Sequence, residues 1–417
     1  MKKIFQFFIA IFILSFYLPG GYLLNFPVSN ILIVTVLLLL FIHFLFTKNI
    51  KGITKVNFLS LISPLIALLI FYVVSLGSFY SIQASQQLNS FVVLLIVPFI
   101  FTMTIKNNIM RINEMIKYVL VGFFVKLSFR FIIEILFILG YFNHDSLNEF
   151  YLHFFSSTPV TLFLPGIDAM RIQFPSDALP LVVYSFILID KTFSKRVKVL
   201  SIFSVGLFSL IVYSRVFIAQ FIVITLISII LNSKKLSLKN FFFLYSVIIL
   251  LSTVLISFLL FGNLDYTILL NRFTGSEVVV SDFIREQQYI FLKDAFLEKP
   301  IFGHGIGYFI TGFIRSSNLL FSYELEYLSF LMQFGILGFV IIVGGSVLNF
   351  ISLITWKNLY RKELIIVSIN FLIWLLKPLF NPSFLTINSA SIIVILILYS
   401  FYFSNRNSKK NDLKSEV

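Results

Sequence analysis

The chain has 417 residues, of which 59% are hydrophobic and 12% charged, with a formal net charge of +14 and no cysteine. Soluble domains carry roughly 25% charged residues, so this composition argues against a soluble core. The missing thiols exclude a disulfide framework and a thiolate metal site, and four scattered histidines (His43, His144, His153, His304) give no zinc-ligand spacing.

The first residues, MKKIFQFFIAIFILSF, have the charged and apolar regions of a signal peptide. No small-residue cleavage site follows, so the segment reads as an uncleaved first span. A span needs roughly 20 mainly apolar residues. Such stretches lie at about 4–22, 29–47, 56–76, 89–105, 116–140, 176–190, 197–213, 216–232, 241–262, 327–352, 363–379 and 386–403. The expected fold is therefore an all-α polytopic membrane protein of about 12 transmembrane helices. Its divisions are helices one to nine in 1–262, a large outer loop in 263–323, helices ten to twelve in 324–404, and a tail in 405–417.

Charge placement is independent of that count. The gaps at 48–55, 105–117, 190–198, 233–240 and 356–362, with Lys2, Lys3 and the tail, hold 22 of the 32 basic residues. The alternate gaps PGGYLLNFPVSN, SLGSFYSIQASQQLN and PLFNPSFLTIN hold none. Positive charge marks cytoplasmic loops, so both termini are expected in the cytoplasm. Charges confined to such gaps point to the lipid bilayer as partner and away from nucleic acid.

Two segments of the opposite side are unusual, 141–175 and about 263–323. In the second, Ser281 with Asp282 offers a helix start, and SDFIREQQYIFLKDAFLEK continues with helical spacing. Pro300 ends it, and FGHGIGYF supplies turn glycines. A short helix across the outer mouth of the bundle is expected.

Ten basic residues lie outside the cytoplasmic gaps: Lys126, Arg130, Arg171, Arg215, Arg272, Arg285, Lys293, Lys299, Arg315 and Lys377. Outer arginines run against the positive-inside bias, and a planar guanidinium suits phosphate. Solvated loop charges paired with Asp265, Glu286 or Asp294 are the plainer alternative. Arg215 sits in LIVYSRVFIAQF with apolar residues on both sides, where charge is expensive. Lys126, Arg130 and Glu134 share one helix face, as an Arg130–Glu134 pair holding helices together or as part of a substrate path. Glu324 and Glu326 open the tenth span, near the interface, where either could be a base or simply mark the water boundary; the spacing favours the boundary role for Glu326.

Two stretches, AFLEKPIFGHGIGYF and ELEYLSFLMQFGILG, carry a family pattern. Arg285, Pro300, Phe302, Gly303, Gly305, Gly307, Tyr327, Leu328, Gly335 and Gly338 fall into its frame. With Ser214-Arg215 and the RIQFPSDALPLVV segment at 171–183, the chain resembles the O-antigen polymerase and ligase family (Wzy-type). Ligases of this pattern carry His where Glu324 stands here, so the resemblance favours a polymerase.

The resemblance implies a bacterial inner-membrane glycosyltransferase. It would move an undecaprenyl-pyrophosphate-linked oligosaccharide onto a sugar hydroxyl of another lipid-linked unit. Arg215, Arg272 and Arg285 would meet the diphosphate and Glu324 would be the base. Arg171, Arg130, Tyr327, Gly303, Gly305 and Gly307 would contact substrate, the glycines serving equally well as a plain helix stop. No metal or cofactor is implied, and a chain-length regulator and a flippase would be partners. A ligase shares these features. A flippase is the rival of another class, with Lys126, Arg130 and Glu134 in its favour and no visible internal repeat against it.

Overall fold

The computed structural model describes residues 2–24, 26–47, 54–157, 160–164, 167–212, 214–232, 276–316, 319–379 and 381–415. The expected ninth span, 241–262, and Arg272 lie outside the described residues.

The described helices run in chain order as α1 (Lys2–Ser15), α2 (Val28–Thr47), α3 (Lys55–Ser75), α4 (Ser81–Lys106), α5 (Ile112–Ile138) and α6 (His144–Phe155). A hairpin, β1 (Val160–Leu164) and β2 (Ile167–Gln173), comes next. Then follow α7 (Ala178–Ile189), α8 (Lys195–Val212), α9 (Arg215–Asn232), α10 (Ser276–Glu298), α11 (Glu326–Phe339), α12 (Gly345–Leu353), α13 (Arg361–Leu376) and α14 (Ile387–Ser415). Five stretches of the described residues are long and apolar enough to cross a membrane: Val28–Phe46, Val56–Ser75, Ser81–Lys106, Glu326–Leu353 and Ile387–Lys409. The chain is a membrane-embedded, mainly α-helical protein. Helix also occupies the other expected intervals outside 241–262, α5 with 27 residues and the rest with 18 or fewer.

Two helices form the centre. Every residue of α7 is buried, and α14 is buried without interruption from Ser389 to Ser400. Helices apolar on all sides belong inside a bundle. The peripheral α2 and α3 instead expose Val34, Leu38, Phe41, Ile66, Leu69, Ile70 and Val73, the surface a hydrocarbon phase would cover. Lipid is as apolar as these side chains, so packing and interhelical hydrogen bonds carry the association. Asn370 donates to Ser185 Oγ (2.8 Å), Trp374 Nε1 to Ser389 Oγ (2.6 Å), and Tyr184 and Thr225 share a hydroxyl bond (2.8 Å). These tie α13 to α7 and α14, and α7 to α9.

Polar contacts among the described gaps fall at two ends of the bundle. At one end Arg406 pairs with Asp190 and Glu363, Lys362 reaches Asn232, and Asn407 donates to Asn358 O. At the other, Leu24 N bonds Phe154 O, Tyr80 bonds His304 O, and Glu326 meets residues 383–385.

Three features depart from the expected layout. A hairpin lies within the expected outer segment 141–175; β1 and β2 pair antiparallel with Thr161 opposite Ile172 and Leu162 opposite Arg171. Its apolar strands VTLFL and IDAMRIQ flank a Pro165-Gly166 turn signal that lay inside an expected loop. The outer helix is not short: α10 spans 23 residues and starts at Ser276, ahead of Ser281. The tenth span is not continuous. At Gly335 the backbone leaves helical geometry (φ 63°, ψ −176°), and a π-helical stretch Val340–Gly344 follows before α12.

That break has a partner. His304 and Gly305 N–H donate to Met332 O (3.0 Å) and Gln333 O (2.8 Å), while Ile336 and Leu337 N–H donate to Pro300 O (2.8 Å) and Ile301 O (3.2 Å). Backbone freed within an apolar bundle must be satisfied by protein, and residues 300–305 do so.

Candidate functional site

Arg285, Gln288, Leu292 and Ala295 recur at helical spacing along α10 and share one face. Leu292 and Ala295 are buried against Tyr323 and Met332, so this face docks on the start of α11. Docking brings Arg285 to Glu324: Arg285 Nε donates to Oε2 at 2.9 Å. Gln288, fully buried, accepts the Glu324 backbone N–H at 2.8 Å and fixes where that carboxylate begins.

A second guanidinium arrives from the preceding coil. Arg315 Nη2 donates to Glu324 Oε1 at 2.7 Å. The Tyr323 hydroxyl accepts from Ile310 N–H (2.9 Å) and donates to Phe313 O (3.3 Å), pinning the coil that carries Arg315. Burial pushes that hydroxyl up to about 12, so it keeps its proton. Side-chain exposures of 26% for Arg285, 34% for Arg315 and 21% for Glu324 leave the cluster open to solvent.

The glycine turn serves as a seam between parts of the chain. Gly307 has φ +80°, and a Cβ there would lie 2.2 Å from Ala84 N. A Cβ on Gly303 would lie 2.3 Å from Gln333 O, and Gly305 faces Ser75 Oγ and the Tyr80 hydroxyl. The close backbone approach expected toward a substrate is made toward the protein itself. Two buried glutamines lock the seam: Gln87 accepts from Gly307 N–H (2.6 Å) and donates to Gln333 Oε1 (2.7 Å), and Gln333 donates to Tyr308 O (2.9 Å). The His304 ring stacks on Tyr308 at 4.3 Å with Nε2 against Ala295 O at 2.8 Å, joining the turn to α10.

Gln333→Leu leaves Gln87 and Tyr308 O short of partners in a buried site. An unsatisfied buried polar group costs roughly 1–3 kcal/mol. A lower melting temperature of the detergent-solubilised variant, with Gln83→Leu on α4 as comparison, is the expected result; an unchanged melt refutes the lock.

The other expected site residues are placed as follows. Arg215 opens α9 and Arg171 lies in β2, but their side chains are outside the described residues. Tyr327 is a packing residue: its hydroxyl donates to Leu375 O (2.6 Å) and its ring sits among Phe330, Phe339 and Phe384. Arg130 is buried on α5, away from solvent, pairing with Glu134 at 3.2 Å on its own helix and bonding Ile172 O of β2. Beside it Lys126 pairs with Asp177 at 3.0 Å and with Ser176 Oγ at 3.0 Å. The pair joining two elements is thus Lys126–Asp177, with the Arg130–Glu134 pair contained in one helix. Glu326 does not mark a water boundary either. It is buried and accepts the backbone N–H groups of Ser383 (2.7 Å), Phe384 (2.7 Å) and Leu385 (3.2 Å), anchoring the approach to α14.

Comparison with protein-family models, curated proteins and solved structures gives no match.

Arg315, Gln288, Gln87, Gln333 and Asp177 were absent from the expected site. Arg315 had left a signal as a basic residue outside the cytoplasmic gaps, and Asp177 and Gln333 lay inside the quoted family stretches without being singled out. Among the described residues no group of three or more His, Asp or Glu is placed to hold a metal ion.

Proposed function

We propose that the protein is a membrane glycosyltransferase that polymerises lipid-linked glycan. The donor is an undecaprenyl-pyrophosphate-linked oligosaccharide and the acceptor a sugar hydroxyl of a second lipid-linked unit. One observation carries the reading: Arg285 and Arg315 meet around Glu324 at the end of the bundle opposite the basic gaps.

In the reaction the bond from the reducing-end sugar carbon to the diphosphate oxygen breaks, and its electron pair leaves with the diphosphate. The acceptor oxygen bonds that carbon and gives up its proton. Guanidinium groups fixed in advance stabilise the growing diphosphate charge without reorganising. The proton goes to Glu324, whose two oxygens accept from arginine until the diphosphate draws them off. In this reading the outer face is the periplasmic or extracellular one, the termini are cytoplasmic, and a flippase supplies the substrate. A chain-length regulator is a further partner.

Purified protein incubated with lipid-linked repeat units tests this. Wild type is expected to yield a ladder of polymers, and Arg285→Ala to lose roughly 10²–10³ in rate, the usual effect of removing one transition-state donor. Absence of a ladder from folded wild type removes the reading. Loss of glycan attachment with normal ladders would identify a ligase.

A transporter of the same lipids is the second reading, favoured by the buried Lys126, Arg130, Glu134 and Asp177. Intramembrane charge of this kind often marks a translocation path. Movement of labelled lipid-linked glycan across proteoliposomes, without polymer formation, would establish it.

A further inference from the structure

We infer that Arg315 is an anion-contacting residue of this site, and that Glu324 competes with the anion for the two guanidiniums. The ligand's class, a phosphate-bearing group, rests on the functional reading above; the roles of the two residues do not.

One carboxylate here bridges two guanidiniums from different elements. Its Oε2 faces Arg285 at 2.9 Å and its Oε1 faces Arg315 at 2.7 Å. Carboxylate and phosphate present acceptor oxygens that the same guanidinium fork can engage. Glu324 therefore makes the contacts an incoming phosphate would make. Among the described residues Glu324 is the one acid within ion-pair distance of Arg315.

Magnitudes decide whether a ligand can displace the carboxylate. Ion pairs this exposed contribute only about 0–1 kcal/mol each. A diphosphate carries more charge than a carboxylate and can bond both guanidiniums at once. Its arrival exchanges two weak pairs for stronger ones. Glu324 is then released beside the bound group with an oxygen able to accept a proton, so the residue that competes for the arginines also serves the bound ligand.

The alternative is a tie that merely fastens the coil to α10, and the sign of one substitution separates the two. If Glu324 competes with the ligand, Glu324→Gln strengthens anion binding. If it holds the arginines in place, Glu324→Gln weakens it. The full chain in nanodiscs of neutral phosphatidylcholine is titrated calorimetrically with inorganic pyrophosphate. Glu324→Gln is expected to bind several-fold more tightly than wild type. Arg315→Ala is expected to bind about tenfold more weakly, the loss of about 1.4 kcal/mol, with Arg315→Lys between. Weaker binding by Glu324→Gln, or wild-type binding by Arg315→Ala, overturns the inference. Should Arg315→Ala fail to fold, unchanged affinity in Glu324→Gln and Arg315→Lys overturns it equally.

A parallel titration in nanodiscs containing anionic phosphatidylglycerol separates two phosphate sources. Binding that persists assigns the position to a diphosphate, and binding that is lost assigns it to a bilayer headgroup; both keep the two residues in these roles. Tighter binding by Glu324→Gln in a protein whose wild type forms no polymer would leave this site standing and remove the reaction. Polymer formation with the opposite sign would do the reverse.

Discussion

Gly335→Ala is expected to be the most damaging single substitution in the described structure, losing most folded protein from the membrane. The residue holds φ 63° and ψ −176° inside a membrane helix. That conformation is essentially restricted to glycine and costs other residues about 1–3 kcal/mol. A Cβ would also lie 2.2 Å from Ile301 O and 2.3 Å from Ile301 C, backbone atoms that cannot rotate away. Overpacking adds roughly 1–3 kcal/mol. Relief requires residues 300–305 to lift off, breaking the four bonds they make to Met332, Gln333, Ile336 and Leu337. Freed backbone groups would then sit in an apolar bundle without water. Size-exclusion and thermal melts in detergent measure the effect, with Gly344→Ala as control because nothing lies within 4 Å of that position. Equal melting of both variants would show that the seam does not hold the loop.

Asp177→Asn is the second. Lys126 and Asp177 are both buried and 3.0 Å apart. Removing one partner of a buried pair leaves a charge uncompensated and typically costs about 3–5 kcal/mol. The asparagine can still accept from Phe174 N–H, a bond Asp177 makes at 2.9 Å, so the loss reports the ion pair. Adding Lys126→Met removes the stranded charge, and the double variant should recover most of the stability. A single variant as stable as wild type would refute a paired Lys126. The recovered double variant also divides the two functional readings: a polymerase keeps making its ladder, whereas a transporter working through these charges stays inactive.

Glu324 and Glu326 show how far a motif reaches. Two residues apart at the start of one helix, they were alike by composition and near alike by position. Glu324 faces two arginines and Glu326 turns inward to three backbone N–H groups. The difference comes from the Leu325 cap, after which the helix rotates Glu326 into the bundle. Arg285 was legible as an arginine outside the cytoplasmic gaps that also falls into the family frame. Arg315 sits in coil, where no period exists to assign a side.

That the chain is a membrane-embedded, mainly α-helical protein was determined by the sequence alone, because hydropathy is a local quantity summed over a few turns. The hairpin, the break at Gly335 and the partners of every buried charge were decided only by tertiary structure. Gln87 meets Gln333 across 246 residues, and Arg285 meets Glu324 across 39. Contacts at such separations depend on how helices pack against one another, which no local pattern specifies.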